Sequence, residues 1–352
     1  MKFSQFQLAL DFDDVLLVPQ QSPLKSRNDV SLSTQITPLV KLDFPVVSVN
    51  MDCVTGIDMA IAMSRYGSLS FYPRFQTPVN QLKAIKKVLK AKAFTIPAIG
   101  IKDSEIDRLK LLVDAGINTI TIDVAHAHLE SCLSFIKSIR KQYPKLEIIA
   151  GVVATYQAAF DLFTLGIKAV RVGIGPGSIC TTRVVTGHGM PQITAIWEAS
   201  RAARQFGGYI IADGGIRNSG DIVKALGAGA DAVTLGYLLA GSTEAPGKTV
   251  IYKGKKYKTY NGSTSKTEKL KQAKLNPHDK CPTYTQNIEG LESLVPSTGP
   301  VSNTLNQLST ALRSGLSYSG ATNIEELHKN AQFVRVTNSI TQRNQNRGVL
   351  LR

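Results

Sequence analysis

Short apolar runs alternate with longer amphipathic stretches along most of the chain. The apolar runs fall at 45–50, 68–72, 94–100, 119–125, 146–152, 169–174, 209–215 and 232–236. Most are aliphatic or β-branched at consecutive positions rather than at every second one, the pattern of strands buried on both faces. Several end in Gly, Asp or Asn, where a turn opens. Between them, 77–92 places Val79, Leu82, Ile85, Val88 and Leu89 at three- and four-residue steps, which predicts an amphipathic helix. Residues 129–142, 156–165 and 192–206 read the same way. The stretch 219–226 opens on Ser219 as its cap and stops at Gly227.

Alternating βα units predict a parallel sheet with right-handed crossovers. Eight of them predict an α/β fold closed as a (β/α)8 TIM barrel, with an open doubly wound sheet as the structural alternative. After the eighth strand a long excursion, about 242–300, precedes the amphipathic stretch 303–312. An insertion of that length in a barrel reads as a flap. The expectation is one catalytic domain over 1–352, with no regulatory subdomain between the second and third strands, where only about twenty residues separate Tyr72 from Phe94.

In a barrel, chemistry sits on the loops at the C-terminal strand ends. The sixth strand is followed by Gly173-Ile174-Gly175-Pro176-Gly177-Ser178-Ile179-Cys180-Thr181-Thr182-Arg183. Its glycines let the backbone approach a ligand. The polar surroundings of Cys180 favour an accessible nucleophilic thiol over a buried cysteine acting as a small hydrophobe. The seventh strand ends in Ala212-Asp213-Gly214-Gly215 and the eighth in Leu235-Gly236-Tyr237. These adjacent ends are where barrels hold phosphate, and Asp213 is placed to accept a ribose diol or, alternatively, to cap the helix at 219–221. Asp123 closes the fourth strand ahead of His126-Ala127-His128. The two histidines lack a third ligand at sensible spacing, so Asp123 is the better candidate and no metal role is expected of the pair.

Composition narrows the reading only slightly. Hydrophobic residues make up 43% of the 352, enough for a continuous core. No apolar run is long enough to cross a membrane, and no secretory signal is evident at Met1–Phe6, so a cytoplasmic location is expected. Cys53, Cys132, Cys180 and Cys281 are scattered and read as free thiols. The net charge of +15 is partly local: ten lysines stand between Lys248 and Lys280 against Glu268 and Asp279. No aromatic platform accompanies them. The arm therefore reads as drawing an anionic nucleotide or keeping the flap soluble, not as a nucleic-acid surface.

Taken with Asp11-Phe12-Asp13-Asp14-Val15-Leu16-Leu17-Val18-Pro19, Asn50-Met51-Asp52, Gly187-His188-Gly189-Met190-Pro191-Gln192 and Ile211-Ala212-Asp213-Gly214-Gly215-Ile216, these loops resemble the inosine monophosphate dehydrogenase / guanosine monophosphate reductase family nearly end to end. The resemblance implies a purine nucleotide monophosphate held over Cys180. It places Ser178, Gly215 and Gly236 at the phosphate, Asp213 at the ribose, and Met51 and Gly262 beside the base; the adjoining Gly214 and Tyr237 join the candidate substrate-binding residues. Thr182 and Glu289 become proton-handling partners of Cys180, and Asp123 the carboxylate beside the nicotinamide ribose. The backbone carbonyls of Gly175, Gly177 and Cys180 match the family's site for a monovalent cation such as K+. A homotetramer is implied as well.

Two activities share this framework. A reductase consumes guanosine monophosphate and NADPH; a dehydrogenase consumes inosine monophosphate and NAD. Dehydrogenases resemble one another in an Arg-Tyr pair on the flap, which 242–300 lacks; its nearest counterparts are Lys256-Tyr257 and Thr283-Tyr284. Leu24-Lys25-Ser26-Arg27 and Phe333-Val334-Arg335-Val336 look reductase-like, whereas Phe12-Asp13-Asp14-Val15, Val185–Ile196 and Thr243–Gly247 look dehydrogenase-like. The balance favours a reductase, with a dehydrogenase or a nucleotide-binding barrel without turnover as alternatives. The chain departs from the family at Val152, where an asparagine is usual, and at Tyr237, where a small residue is usual.

Overall fold

The computed structural model describes residues 8–275 and 285–337. Eight parallel strands close into a barrel: β1 (Val46–Ser48), β2 (Leu69–Tyr72), β3 (Ile96–Ile99), β4 (Thr119–Asp123), β5 (Glu147–Val153), β6 (Ala169–Val172), β7 (Tyr209–Asp213) and β8 (Ala232–Leu235). They pair in chain order, and β8 returns to β1 with Val233 opposite Val46. All eight apolar runs are strands, and the closed ring excludes the open-sheet alternative.

Consecutive apolar residues are needed because each strand faces two cores. Val47, Leu69, Phe71, Ile96, Ile149 and Ile211 fill the barrel interior. A hairpin of Thr34–Thr37 and Val40–Leu42 plugs its N-terminal end, contributing Ile36, Val40 and Leu42 to that interior. The opposite strand faces pack against the surrounding helices in a second, larger cluster.

The helices are α1 (Ile57–Arg65), α2 (Pro78–Lys90), α3 (Ser104–Asp114), α4 (Glu130–Gln142), α5 (Tyr156–Thr164), α6 (Thr182–Thr186), α7 (Gln192–Phe206), α8 (Ser219–Gly227), α9 (Tyr237–Ala240), α10 (Lys266–Leu275), α11 (Val301–Tyr318) and α12 (Ile324–Asn330). The apolar periodicity did not reveal α1 or α3. In α3 the inward face includes Glu105 and Arg108, which neutralise each other at 2.8 Å where apolar residues would give the usual signal. The cap of α8 also differs from expectation. Asn218, not Ser219, receives the Asp221 amide (3.0 Å), and Gly227 is the last helical residue rather than the stop. An asparagine carbonyl reaches the third amide of the helix from that extended backbone position.

The segment after β8 is a three-stranded antiparallel sheet, β9 (Thr249–Tyr252), β10 (Lys255–Asn261) and β11 (Glu292–Pro296), with α10 between the last two strands. The basic arm is therefore not simply a solvated surface. Lys258 is 5% exposed, and its Nζ donates to the carbonyls of Ser242 (2.8 Å) and Thr243 (3.2 Å), pinning the flap sheet to the end of the barrel. Cys281 and the Thr283-Tyr284 pair lie outside the described residues.

Candidate active site

The loop after β6 can turn back across the barrel mouth because Gly173 has a φ of +150°, and a Cβ there would stand 1.9 Å from the Asp213 carbonyl. β6 and β7 thus approach as only glycine permits. The loop then carries Cys180 to the flap: Thr181 N donates to Glu289 O (3.0 Å), and Leu291 N to Ile179 O (2.9 Å). This short ladder sets three side chains in line. The Cys180 thiol donates to Thr182 Oγ1 (3.2 Å), and the Thr182 hydroxyl donates to Glu289 Oε2 (2.7 Å). Asn287 Nδ2 holds the other Glu289 oxygen at 3.0 Å. A proton has a continuous route from thiol to carboxylate, spanning loop and flap.

The other two described cysteines differ in kind. Burial pushes the thiols of Cys53 and Cys132 up to about 11, and neither joins such a line. Cys53 instead exchanges weak hydrogen bonds with the Asn261 backbone, fixing the flap's return.

Cys180 and Glu289 line a cavity of about 200 Å³ together with Met51, Asp213, Gly214, Gly236 and Gly262. A smaller one of about 70 Å³ adjoins it, bounded by Ser178, Gly215, Gly236, Tyr237, Arg217 and Tyr260. The structure therefore brings together Cys180, Thr182 and Glu289 with all the residues expected around base, ribose and phosphate. A Cβ on Gly236 would come within 2.7 Å of the Tyr260 hydroxyl, so glycine there leaves the phenol room to stand over the strand end. That tyrosine, on β10, was not singled out by the sequence pattern. Burial pushes its phenol up to about 12, against a hydrogen bond with Ser178, so it stays a neutral donor at the edge of the smaller cavity. The alternation of β10, with Lys258 and Tyr260 facing inward, was the available signal.

Asp213 does not cap α8. Its Oδ2 accepts from Arg171 Nε (2.8 Å) and Nη2 (2.6 Å). Arg171 Nη1 also reaches Asp123 Oδ1 (3.3 Å), and Nη2 reaches Asn50 Oδ1 (3.0 Å). Burial alone would raise the Asp123 carboxyl, but Arg171 and Arg74 overcome it and hold it below the ordinary value. At Asp213 burial prevails over Arg171 and the carboxyl sits above it. Asp123 thus stands as an anion that lines neither cavity, with Arg74 Nε at 3.3 Å and that guanidinium stacked on Phe75. Arg171 and Arg74 were missed because one lies in a buried strand and the other in a short loop without a motif.

His128 turns to Asp161 (2.7 Å), and no cluster of three or more His, Cys, Asp or Glu suited to a metal occurs among the described residues. Gly175 and Gly177 lie in the same turn as Cys180, and the Gly177 carbonyl already accepts the Cys180 amide (3.0 Å). The Asp11–Val18 stretch braces these loops: Asp11 pairs with Arg183 (3.4 Å) and Asp13 with Arg217 (2.5 Å). Val152 lies within β5, where its amide and carbonyl bond to Val124 and Ala127.

A barrel whose mouth sets a hydrogen-bonded thiol beside a glycine-lined cavity has the form of an enzyme site with Cys180 as its candidate nucleophile. The chain belongs to the IMP dehydrogenase / GMP reductase family, whose domain model matches residues 9–346. It is 37% identical to the inosine-5′-monophosphate dehydrogenase of Borreliella burgdorferi, over 94% of this chain and 95% of that one. It is 34% identical to the enzyme of the same name from Bacillus subtilis, over 93% of each. Among solved structures, a cysteine-to-alanine variant of GMP reductase from Trypanosoma brucei, in complex with guanosine 5′-monophosphate, superposes with a TM-score of 0.91 at 27% identity, covering 99% of both chains. The chain is accordingly a purine nucleotide oxidoreductase of a family that uses nicotinamide nucleotides. No helix among the described residues is long and apolar enough to cross a membrane.

Proposed function

We propose that the chain is a GMP reductase, converting guanosine monophosphate and NADPH to inosine monophosphate, ammonia and NADP. The observation that carries this reading is the flap. Its residues 242–300 contain no Arg-Tyr pair to activate water. Lys256-Tyr257, the nearest counterpart among the described residues, lies in β10 with Tyr257 edge-on to Tyr252 and lines neither cavity. The carboxylate the flap brings to the cavity is Glu289, set on Thr182.

In this reading the phosphate rests on Ser178, Gly214, Gly215, Gly236, Tyr237 and the Tyr260 hydroxyl. Asp213 takes the ribose, and Met51 and Gly262 border the base. Cys180 loses its proton through Thr182 to Glu289, and the thiolate forms a bond to purine C2. Glu289 returns the proton to the 2-amino group, which leaves as ammonia when the C2–N bond breaks. The sulfur remains bonded to C2 until reduction at that carbon, when the C–S bond breaks and the thiolate takes back a proton. The nicotinamide dinucleotide, when bound, supplies the hydride for that last step. Asp123 fits its ribose because two arginines keep the carboxylate charged and able to accept a diol. The closed loop–flap ladder keeps water from the carbon–sulfur bond, which a reductase requires. We assign the carbonyls of Gly175, Gly177 and Cys180 to a monovalent cation such as K+. We further read 1–352 as a single catalytic domain without regulatory insertion, working as a cytoplasmic homotetramer.

A second reading, IMP dehydrogenase, is favoured by the sequence relatives. Nicotinamide absorbance separates the two. Loss of absorbance with guanosine monophosphate and NADPH is the expected result. A gain with inosine monophosphate, NAD and potassium would replace the reductase with a dehydrogenase. Silence in both mixtures with nucleotide binding intact would leave a binding barrel without turnover.

A further inference from the structure

Arg171 is a charged side chain placed where a barrel usually has an apolar layer. It rises from β6, is 3% exposed, and lies with its guanidinium 5.0 Å from the centroid of the Phe71 ring. Gly151 on the neighbouring strand makes room for it, since a Cβ there would stand 2.4 Å from that of Arg171. Its donors divide between two carboxylates that face different parts of the mouth: Asp213 on the cavity side at 2.6 Å and Asp123 on the other at 3.3 Å. Asn50, at the end of β1, ties the same guanidinium from a third direction at 3.0 Å. Asp213 spends only Oδ2 on Arg171 and lines the larger cavity, which leaves Oδ1 for a ligand there.

A planar guanidinium shared in this way cannot adjust to one carboxylate without moving against the other. We propose that Arg171 is a positioning residue that couples the two ribose subsites, so that nucleotide bound at Asp213 and dinucleotide bound at Asp123 each tighten the other's binding. This rests on the reading above that those two carboxylates take the two riboses. The first ligand to arrive fixes Asp213 or Asp123, and through Arg171 orients its counterpart. The second then finds its acceptor already ordered. Linkage requires the same factor in both directions, and couplings of this kind span about 5- to 150-fold.

The test uses the full chain carrying Cys180→Ala, so that both ligands can be present without turnover. The dissociation constant of guanosine monophosphate is measured calorimetrically with and without saturating NADP, and that of NADP with and without guanosine monophosphate. The expected ratio is about tenfold in both directions. Arg171→Lys keeps the charge but has one compact head that cannot span both carboxylates, and should bring the ratio near one while each ligand still binds alone. Asn50→Ala leaves the guanidinium in place and frees one of its branches, so it should lower the ratio partway; it also serves if the lysine variant fails to fold. Coupling that persists unchanged in the folded variants overturns the proposal. A ratio near one in the parent overturns it too, with the functional reading intact. Failure of the parent to bind either ligand removes the functional reading and the coupling with it.

Discussion

Within the barrel mouth, Arg171, Asp213, Asp123 and Asn50 form a lattice that lies almost wholly on barrel strands or their immediate ends. Across the same cavity's loop and flap, Cys180, Thr182 and Glu289 are all half-buried, and the line they make spans two segments more than a hundred residues apart in sequence. The lattice is held by strand pairing and by the interior core. The line exists only while the flap sits on the loop. The difference assigns the work: the buried side is carried by the barrel itself and can orient two sugars, whereas the reactive side is completed by the flap. An enzyme whose covalent intermediate must be kept from water has reason to make its chemistry depend on closure.

The sharpest way to break the reactive side is at the sulfur. Cys180→Ala should abolish turnover while the affinity for purine nucleotide, read by calorimetry, stays within about threefold, because the contacts to phosphate and ribose lie elsewhere. Turnover surviving in the purified variant would sink the covalent step. Glu289→Gln keeps the shape and an acceptor oxygen for Thr182 but cannot hold the proton. Steady-state kinetics should show kcat lower by about 10²–10⁴ with little change in KM. A raised KM with kcat unchanged would mean that Glu289 binds rather than transfers protons.

How much of this was legible beforehand follows the same division. The Cys180 loop could be read because its chemistry is written in contiguous residues: three glycines, a hydroxyl on each side and a thiol. The eight strands could be read because burial on both faces leaves unbroken apolar runs. Arg171 could not, since Ala169-Val170-Arg171-Val172 looks like an ordinary strand with one charge, and nothing local says that Asp123 and Asp213 converge on it. Tyr260 was hidden for a related reason. Its role comes from the approach of β10 to Gly236, a contact between segments that the sequence does not place side by side. The extent of α3 was obscured because an ion pair, Glu105 with Arg108, fills positions where hydrophobic residues would have marked the inward face.

The barrel floor supplies a control for the lattice. Asp231, at the start of β8, is a shielded carboxylate like Asp123 but is paired with no cation among the described residues; its Oδ2 accepts the Ile210 amide at 2.7 Å, and its own backbone amide adds a second hydrogen bond. Burial pushes it from 3.8 to about 7, with the Ile210 amide opposing, whereas two arginines hold Asp123 below its ordinary value. The folded protein therefore keeps a proton on Asp231 that the unfolded chain has already released. Stability from this group is full below the unfolded value and is lost as pH rises through the folded one, by about 2–3 kcal/mol between pH 5 and pH 8. Asp231→Asn, neutral at every pH and still able to accept from Ile210, should flatten that part of the profile and raise the melting temperature at pH 8 more than at pH 5. The activity profile should not follow it, because Asp231 lies at the opposite end of the strands from Cys180. Denaturation curves of the two proteins across this range decide the matter: parallel profiles would mean that Asp231 is charged in the folded state, and that backbone amides alone can do at the floor what Arg171 and Arg74 do for Asp123 at the mouth.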